Sequence, residues 1–157
     1  MPPGPAAIPV AEIRADLEIT PGDLLVLQPT RVIPRKGIEH AIEFTRRLGR
    51  PASLVVSHAS GDEGPEYEQR VREYAALLGV DVRFEAEVIG DHQRTTADGR
   101  RIHTLADVYP AADFVTYPSV FEGFGNAFLE AVYFGRPILV NNYSTYEVDI
   151  RPRGFRV

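Results

Sequence analysis

Two runs of residues in this chain have the types and spacing to hold a phosphorylated ligand. The first is Pro29-Thr30-Arg31-Val32-Ile33-Pro34-Arg35-Lys36-Gly37-Ile38, with Arg31 and Lys36 on a loop that feeds a helical pattern. A diphosphate needs cations and exposed backbone N–H groups, and a loop entering a helix N-terminus supplies both. Lys36 is the only lysine among 17 basic residues. The plain reading of that skew is a coding bias toward arginine. A lysine that survives such a bias still points to a site where a compact ammonium does what a planar guanidinium does not. Taken alone, a basic loop of this kind is more often solvated surface than ligand site.

The second run is Tyr117-Pro118-Ser119-Val120-Phe121-Glu122-Gly123-Phe124-Gly125-Asn126-Ala127-Phe128-Leu129-Glu130-Ala131. Gly123 and Gly125 have no side chain, so a ligand can approach the backbone closely. Their N–H groups, with those of Phe124 and Asn126, point out of a helix start and favour anionic oxygens. Glu122 and Glu130 would have backbones ~12 Å apart if the whole span is helical. That suits two ends of one extended ligand better than a catalytic carboxylate pair, which needs about 5–10 Å. Each piece alone has a plain reading: Glu122 as a favourable charge at a helix start, Glu130 as a polar residue on a core helix. Phe128 occupies the place of the third glycine in the dinucleotide fingerprint, so that fingerprint is not present.

Both runs follow predicted strands. Short β-rich segments fall at Leu24–Gln28, Ser53–Ser57, Asp81–Glu85, Asp113–Tyr117 and Pro137–Asn141, with Gly154–Val157 as the start of a sixth. Helical patterns lie between them at Ile38–Leu48, Glu66–Leu78, Ile102–Tyr109 and Gly125–Phe134, with a short one near Tyr146–Ile150. Gly79 and Gly135 sit where left-handed C-caps are wanted. Strand–helix alternation with short connections implies parallel strands and right-handed crossovers. The expected fold is an α/β, Rossmann-like doubly wound parallel sheet, with its strands in the order 3-2-1-4-5, then 6. In such a sheet ligands bind at the carboxyl ends of the strands, where both runs fall. Gly90–Arg101 is polar and contains Asp98-Gly99, so it is expected to be a loop or small insertion.

Composition narrows the remaining classes. A chain of 157 residues, 44% hydrophobic, can form one domain with a substantial core. The net charge of −5 argues against nucleic acid as the main partner. There is no cysteine, hence no disulfide framework or thiolate chemistry, which fits a reducing compartment. No apolar run approaches the ~20 residues of a transmembrane span. Residues 1–20 are expected to be a linker or domain edge, with residues 21–157 forming the domain. His40, His58, His92 and His103 lack metal-ligand spacing, and no Asp-x-Asp occurs, so no metal is expected. There is also no nucleophile elbow and no Walker loop.

Together the segments form a known pattern. From Leu24 to about Glu147 the chain resembles the C-terminal domain of family 4 glycosyltransferases of the GT-B type. Arg31–Gly37 corresponds to the R-x4-K-G loop, and Tyr109–Glu130 to Y-x-A-A-D…P-S-x-x-E-G-F-G…E. Ala131–Asn141 corresponds to the helix and strand that follow. The resemblance implies one half of a GT-B fold that binds a nucleotide-sugar donor. It implies that Arg31 and Lys36 hold the diphosphate and, with Glu122, act in catalysis. Glu122 and the backbone of Gly123, Phe124, Gly125 and Asn126 would hold the donor sugar, and Glu130 the ribose hydroxyls. The backbone around Val88 and Ile89 would edge the base.

The implied reaction is transfer from a nucleoside-diphosphate sugar to an acceptor, with retention of configuration and no metal or other cofactor. The acceptor, a glycan, lipid or small molecule, would be held by an N-terminal domain outside this chain, so the fragment alone is expected to be inactive. The implied location is cytoplasmic, or peripheral at a membrane in the full-length protein. Three features depart from the family. Ser57-His58-Ala59 stands where many members have glycine and aspartate, the Gly90–Arg101 loop is long, and Asn126 replaces an apolar residue. A non-catalytic nucleotide-sugar-binding module and a sugar-nucleotide epimerase are the alternatives on the same fold.

Overall fold

Leu24-Leu25-Val26-Leu27 is apolar on both faces because it becomes the middle strand of a covered parallel sheet. The computed structural model describes residues 7–61, 64–119 and 126–140, apart from the side chains of 126 and 127. Strand β1 (Leu24–Gln28) pairs with β2 (Ala52–Val56) on one side and β6 (Phe114–Tyr117) on the other. β3 (Asp81–Phe84) lies outside β2, and β7 (Ile138–Val140) outside β6. All four pairings are parallel, and the order is β3-β2-β1-β6-β7, the expected order over these five strands. The order reverses between β1 and β6, which makes their junction the topological switch point. The expected sixth strand and the short helix near Tyr146–Ile150 lie outside the described residues.

The two faces of β1 feed two cores. Val26 packs with Ile38, Ala41 and Ile42 of α2 (Ile38–Arg47) and with Tyr67, Val71 and Ala75 of α3 (Glu66–Leu78). Those positions recur at helical spacing, so each helix buries one stripe. Leu25 and Leu27 point the other way, into a cluster with Ile13, Leu17, Val88, Val108, Tyr109, Val115 and Ala131. Tyr67 and Tyr74 of α3 donate hydrogen bonds to Glu39 (2.6 Å) and Glu43 (2.7 Å) of α2, which fixes the two helices side by side.

Residues before the first strand do more than connect. Val10–Asp16 forms helix α1, with Ile13 and the following Leu17 fully buried. Arg14 donates to the carbonyls of Ala111, at 3.0 Å, and Asp23, and pairs with Asp113. The Gly90–Arg101 insertion contains a small hairpin, β4 (Arg94–Thr95) against β5 (Arg101–Ile102), whose turn uses Gly99 at φ +86°. The helix expected over Ile102–Tyr109 is accordingly shorter. Ile102 stays in β5, and α4 (Leu105–Val108) starts at a capping box in which Thr104 and Asp107 each bond the other's backbone N–H. A 3-10 turn at Tyr109–Ala111 follows, with Pro110 inside it.

Candidate functional site

The Arg31–Gly37 loop leaves the carboxyl end of β1 and is pinned before it enters α2. Pro34–Lys36 forms a single 3-10 turn, and Gly37 then adopts the left-handed conformation at φ +65° as the N-cap of α2. A side chain at Gly37 would be strained there, and its Cβ would also lie 2.3 Å from the Pro118 carbonyl oxygen. Only glycine allows this contact, which seats the first run against the exit of β6, where the second begins. Lys36 is buried, with its Nζ 5.5 Å from the centre of the Tyr117 ring, within cation–π range. Arg31 is exposed at the same edge.

The second run is described from Tyr117 to Ser119 and again from α5 (Asn126–Tyr133) onward. Glu122, Gly123, Phe124 and Gly125 lie outside the described residues, as does the side chain of Asn126. Within α5, Phe128 and Ala131 are buried against the sheet and Glu130 is exposed. The bulk of Phe128 at the third-glycine position therefore serves core packing. Glu130 Oε2 accepts a 2.9 Å hydrogen bond from the hydroxyl of the buried Tyr109. Tyr109 is itself stacked on Phe134 at 5.1 Å. Burial, and then the neighbouring Glu130 carboxylate, push the Tyr109 pKa upward, so the phenol stays a donor. Tyr109 thus orients Glu130 and leaves the carboxylate further acceptor capacity. Sequence reasoning gave Tyr109 no role, although it opens the Y-x-A-A-D segment.

Beyond the carboxyl ends of β2 and β3, a cleft of about 260 Å³ is lined by His58, Ile89, Gly90, Asp91, Thr104, Leu105 and Ala106. Val88 and Ile89 are buried, and their N–H groups both bond to the Glu85 carbonyl. Neither N–H remains to bond a ligand, so any contact Ile89 makes in the cleft comes from its other atoms. His58 retains solvent exposure, yet the protein around it desolvates the ring and lowers its pKa below the ordinary 6.5. Asp91 and Glu130 pull it up, and Arg31 pushes it further down. His58 therefore feels both the cation of the first run and the carboxylate of the second. Its Nδ1 lies 2.6 Å from Ser57 Oγ. Among the described residues, no group of three or more His, Asp or Glu could hold a metal ion, and no helix is long and apolar enough to cross a membrane.

The family model for glycosyl transferases group 1 matches residues 9–153, nearly the whole chain. The chain belongs to the glycosyl transferases group 1 family. Within it, the mannosylglucosylglycerate synthase of Petrotoga mobilis is 32% identical, over 93% of this chain and 37% of that enzyme. The chain thus spans about a third of the length of the curated relatives it matches. Solved structures also share its fold. Anabaena HepE, solved in complex with UDP-glucose, superposes with a TM-score of 0.64 at 18% identity, covering 83% of this chain and 33% of that one. The C-terminal domain of a group 1 family protein from Francisella tularensis gives 0.61 at 20% identity, covering 82% and 63% respectively. The structural neighbours are GT-B glycosyltransferases, and the five-stranded parallel sheet is the Rossmann-like half of that architecture.

Proposed function

We propose that this chain is the donor-binding, C-terminal domain of a family 4 glycosyltransferase that moves a sugar from a nucleoside-diphosphate sugar to an acceptor, with retention of configuration and without a metal. The observation that carries the reading is the seating of Gly37 under the Pro118 carbonyl. It brings the cation-bearing loop and the loop leading to α5 together at the switch point of the sheet, where α/β folds bind nucleotides. Arg31 and Lys36 would take the diphosphate. Glu122 and the Gly123–Asn126 backbone would take the sugar, and Glu130, oriented by Tyr109, the ribose. The base would lie in the cleft beside Ile89 and His58.

The chemistry asked of such a site is stabilisation of charge. As the glycosidic bond to the diphosphate breaks, negative charge grows on the leaving oxygens, and fixed cations and N–H dipoles stabilise it. Removing one such donor typically costs about 3–4 kcal/mol of transition-state stabilisation. Arg31 and Lys36 would supply two cations for that task in place of a metal. The test is calorimetry with UDP, GDP and ADP in the presence of chelator. One diphosphate should bind, with affinity unchanged when magnesium or manganese is added. Lys36→Ala should weaken that diphosphate at least tenfold while sparing its nucleoside, because the lost charge faces phosphate. Binding that appears only with a divalent cation would count against metal independence, and absence of diphosphate binding against the whole reading.

A further inference from the structure

Gln28 ends β1 and is fully buried, an unusual place for a primary amide. Its Nε2 donates to Thr30 Oγ1 at 3.0 Å and to the Lys36 carbonyl at 3.3 Å. Its Oε1 accepts from Thr116 Oγ1 of β6 at 2.6 Å. The orientation of the amide is determined, because the Lys36 carbonyl can only accept and so must face the nitrogen. Thr30, itself buried, donates its hydroxyl to the Arg31 carbonyl at 3.1 Å. The chain of bonds therefore starts on β6, passes through Gln28, and ends on the backbones of Arg31 and Lys36.

We propose that Gln28 and Thr30 are positioning residues whose buried hydrogen bonds hold the backbones of Arg31 and Lys36 in the geometry that grips a diphosphate. This rests on the donor-binding reading above. Neither side chain touches the ligand. Arg31 is long and exposed, and a cation held only at its tip loses rotamer freedom on binding, whereas Lys36 is already packed beside Tyr117. Anchoring the backbone beneath each one removes part of that cost before the ligand arrives. Thr116 also makes the grip sensitive to the β1–β6 junction, since its hydroxyl fixes the far side of the amide.

The test separates positioning from general stability. UDP, GDP and ADP are titrated into the wild-type chain, and the tightest is carried forward together with its nucleoside. Thr30→Val keeps the shape and removes the hydroxyl, Thr30→Ser returns it, and Gln28→Leu removes all three amide bonds. Thr30→Val should weaken the diphosphate about three- to tenfold and move the nucleoside less than about twofold, as loss of one buried hydrogen bond allows. Thr30→Ser should restore diphosphate affinity, and Gln28→Leu should lower it further. If Gln28→Leu does not fold, the Thr30 pair decides alone. Equal losses for diphosphate and nucleoside, no loss for either, or failure of Thr30→Ser to restore binding would overturn the inference. A wild-type chain that binds no diphosphate more tightly than its nucleoside would instead sink the donor-binding reading.

Discussion

His58 reports on the candidate site because charges of both signs act on one imidazole. Burial is the largest cause of its lowered pKa, Asp91 and Glu130 oppose the shift, and Arg31 adds to it. The folded chain thus holds this proton less tightly than the unfolded chain. Its effect on stability is therefore unfavourable at acid pH and is relieved as pH rises through the window between the folded value and 6.5. A proton NMR titration should place His58 below 6.5, and Arg31→Ala should raise its midpoint. A bound diphosphate should raise it as well, by adding negative charge near the ring. An unmoved midpoint in Arg31→Ala would separate Arg31 from the His58 cleft. Arg31, Lys36 and Glu130 were legible in the sequence because each sits at a fixed step within a local run. Gln28 and Tyr109 were not. The amide of Gln28 is fixed by Thr116, 88 residues away, and Tyr109 acts through Glu130, 21 residues away, so a local run shows neither arrangement in full.

Among the elements, the five strands and the helices α2 and α3 were legible because apolar periodicity and glycine caps agreed with one another. Helix α1 was not. It has seven residues after a proline-rich start, and its stability comes from packing rather than propensity. Ile13 and Leu17 anchor it in the core, and two carboxylates, Glu12 and Asp16, tie it to Arg101 of the insertion hairpin. Asp16 Oδ2 accepts from Arg101 Nε and from His103 Nε2, both at 2.7 Å. Burial pushes the Asp16 pKa up, but the bonds from Arg101 and His103 outweigh it, and the net shift is downward from 3.8. A depressed carboxylate contributes stability that is present above 3.8 and lost as pH falls through the folded value. His103 is fully buried, and its Nδ1 has no partner among the described residues. Asp16→Ala would then leave both ring nitrogens unbonded, at a cost of about 1–3 kcal/mol. Urea denaturation at neutral pH measures this directly. The deficit relative to wild type should shrink as pH drops below 3.8. A variant as stable as wild type would mean that α1 does not depend on the Asp16 bonds.

At the scale of the molecule, the parallel sheet exposes one carboxyl edge, and every candidate group described lies on it. On the proposed reading that edge would supply donor contacts only: two cations for the diphosphate, Glu130 for the ribose and a cleft for the base. The chain spans about a third of the length of its curated relatives, so the wall that would present the acceptor is looked for outside it. Aligning two reactants contributes ~7–11 kcal/mol to a bimolecular reaction, and closure of one domain on another is one way such alignment and exclusion of water are achieved. The chain alone should therefore bind a nucleoside diphosphate and yet transfer sugar no faster than buffer. Release of diphosphate from UDP-, GDP- and ADP-sugars, with and without a simple acceptor, measures this beside the calorimetry. Joining the chain to an acceptor-binding half should restore turnover, and Glu122→Ala in that two-domain protein should depress it, since the sugar would lose its hold while the diphosphate kept its own. Robust transfer by the 157 residues alone would show that the acceptor is held on the same edge as the donor, and the site would then have to be rebuilt around Glu130 and His58 instead of around a cleft between domains.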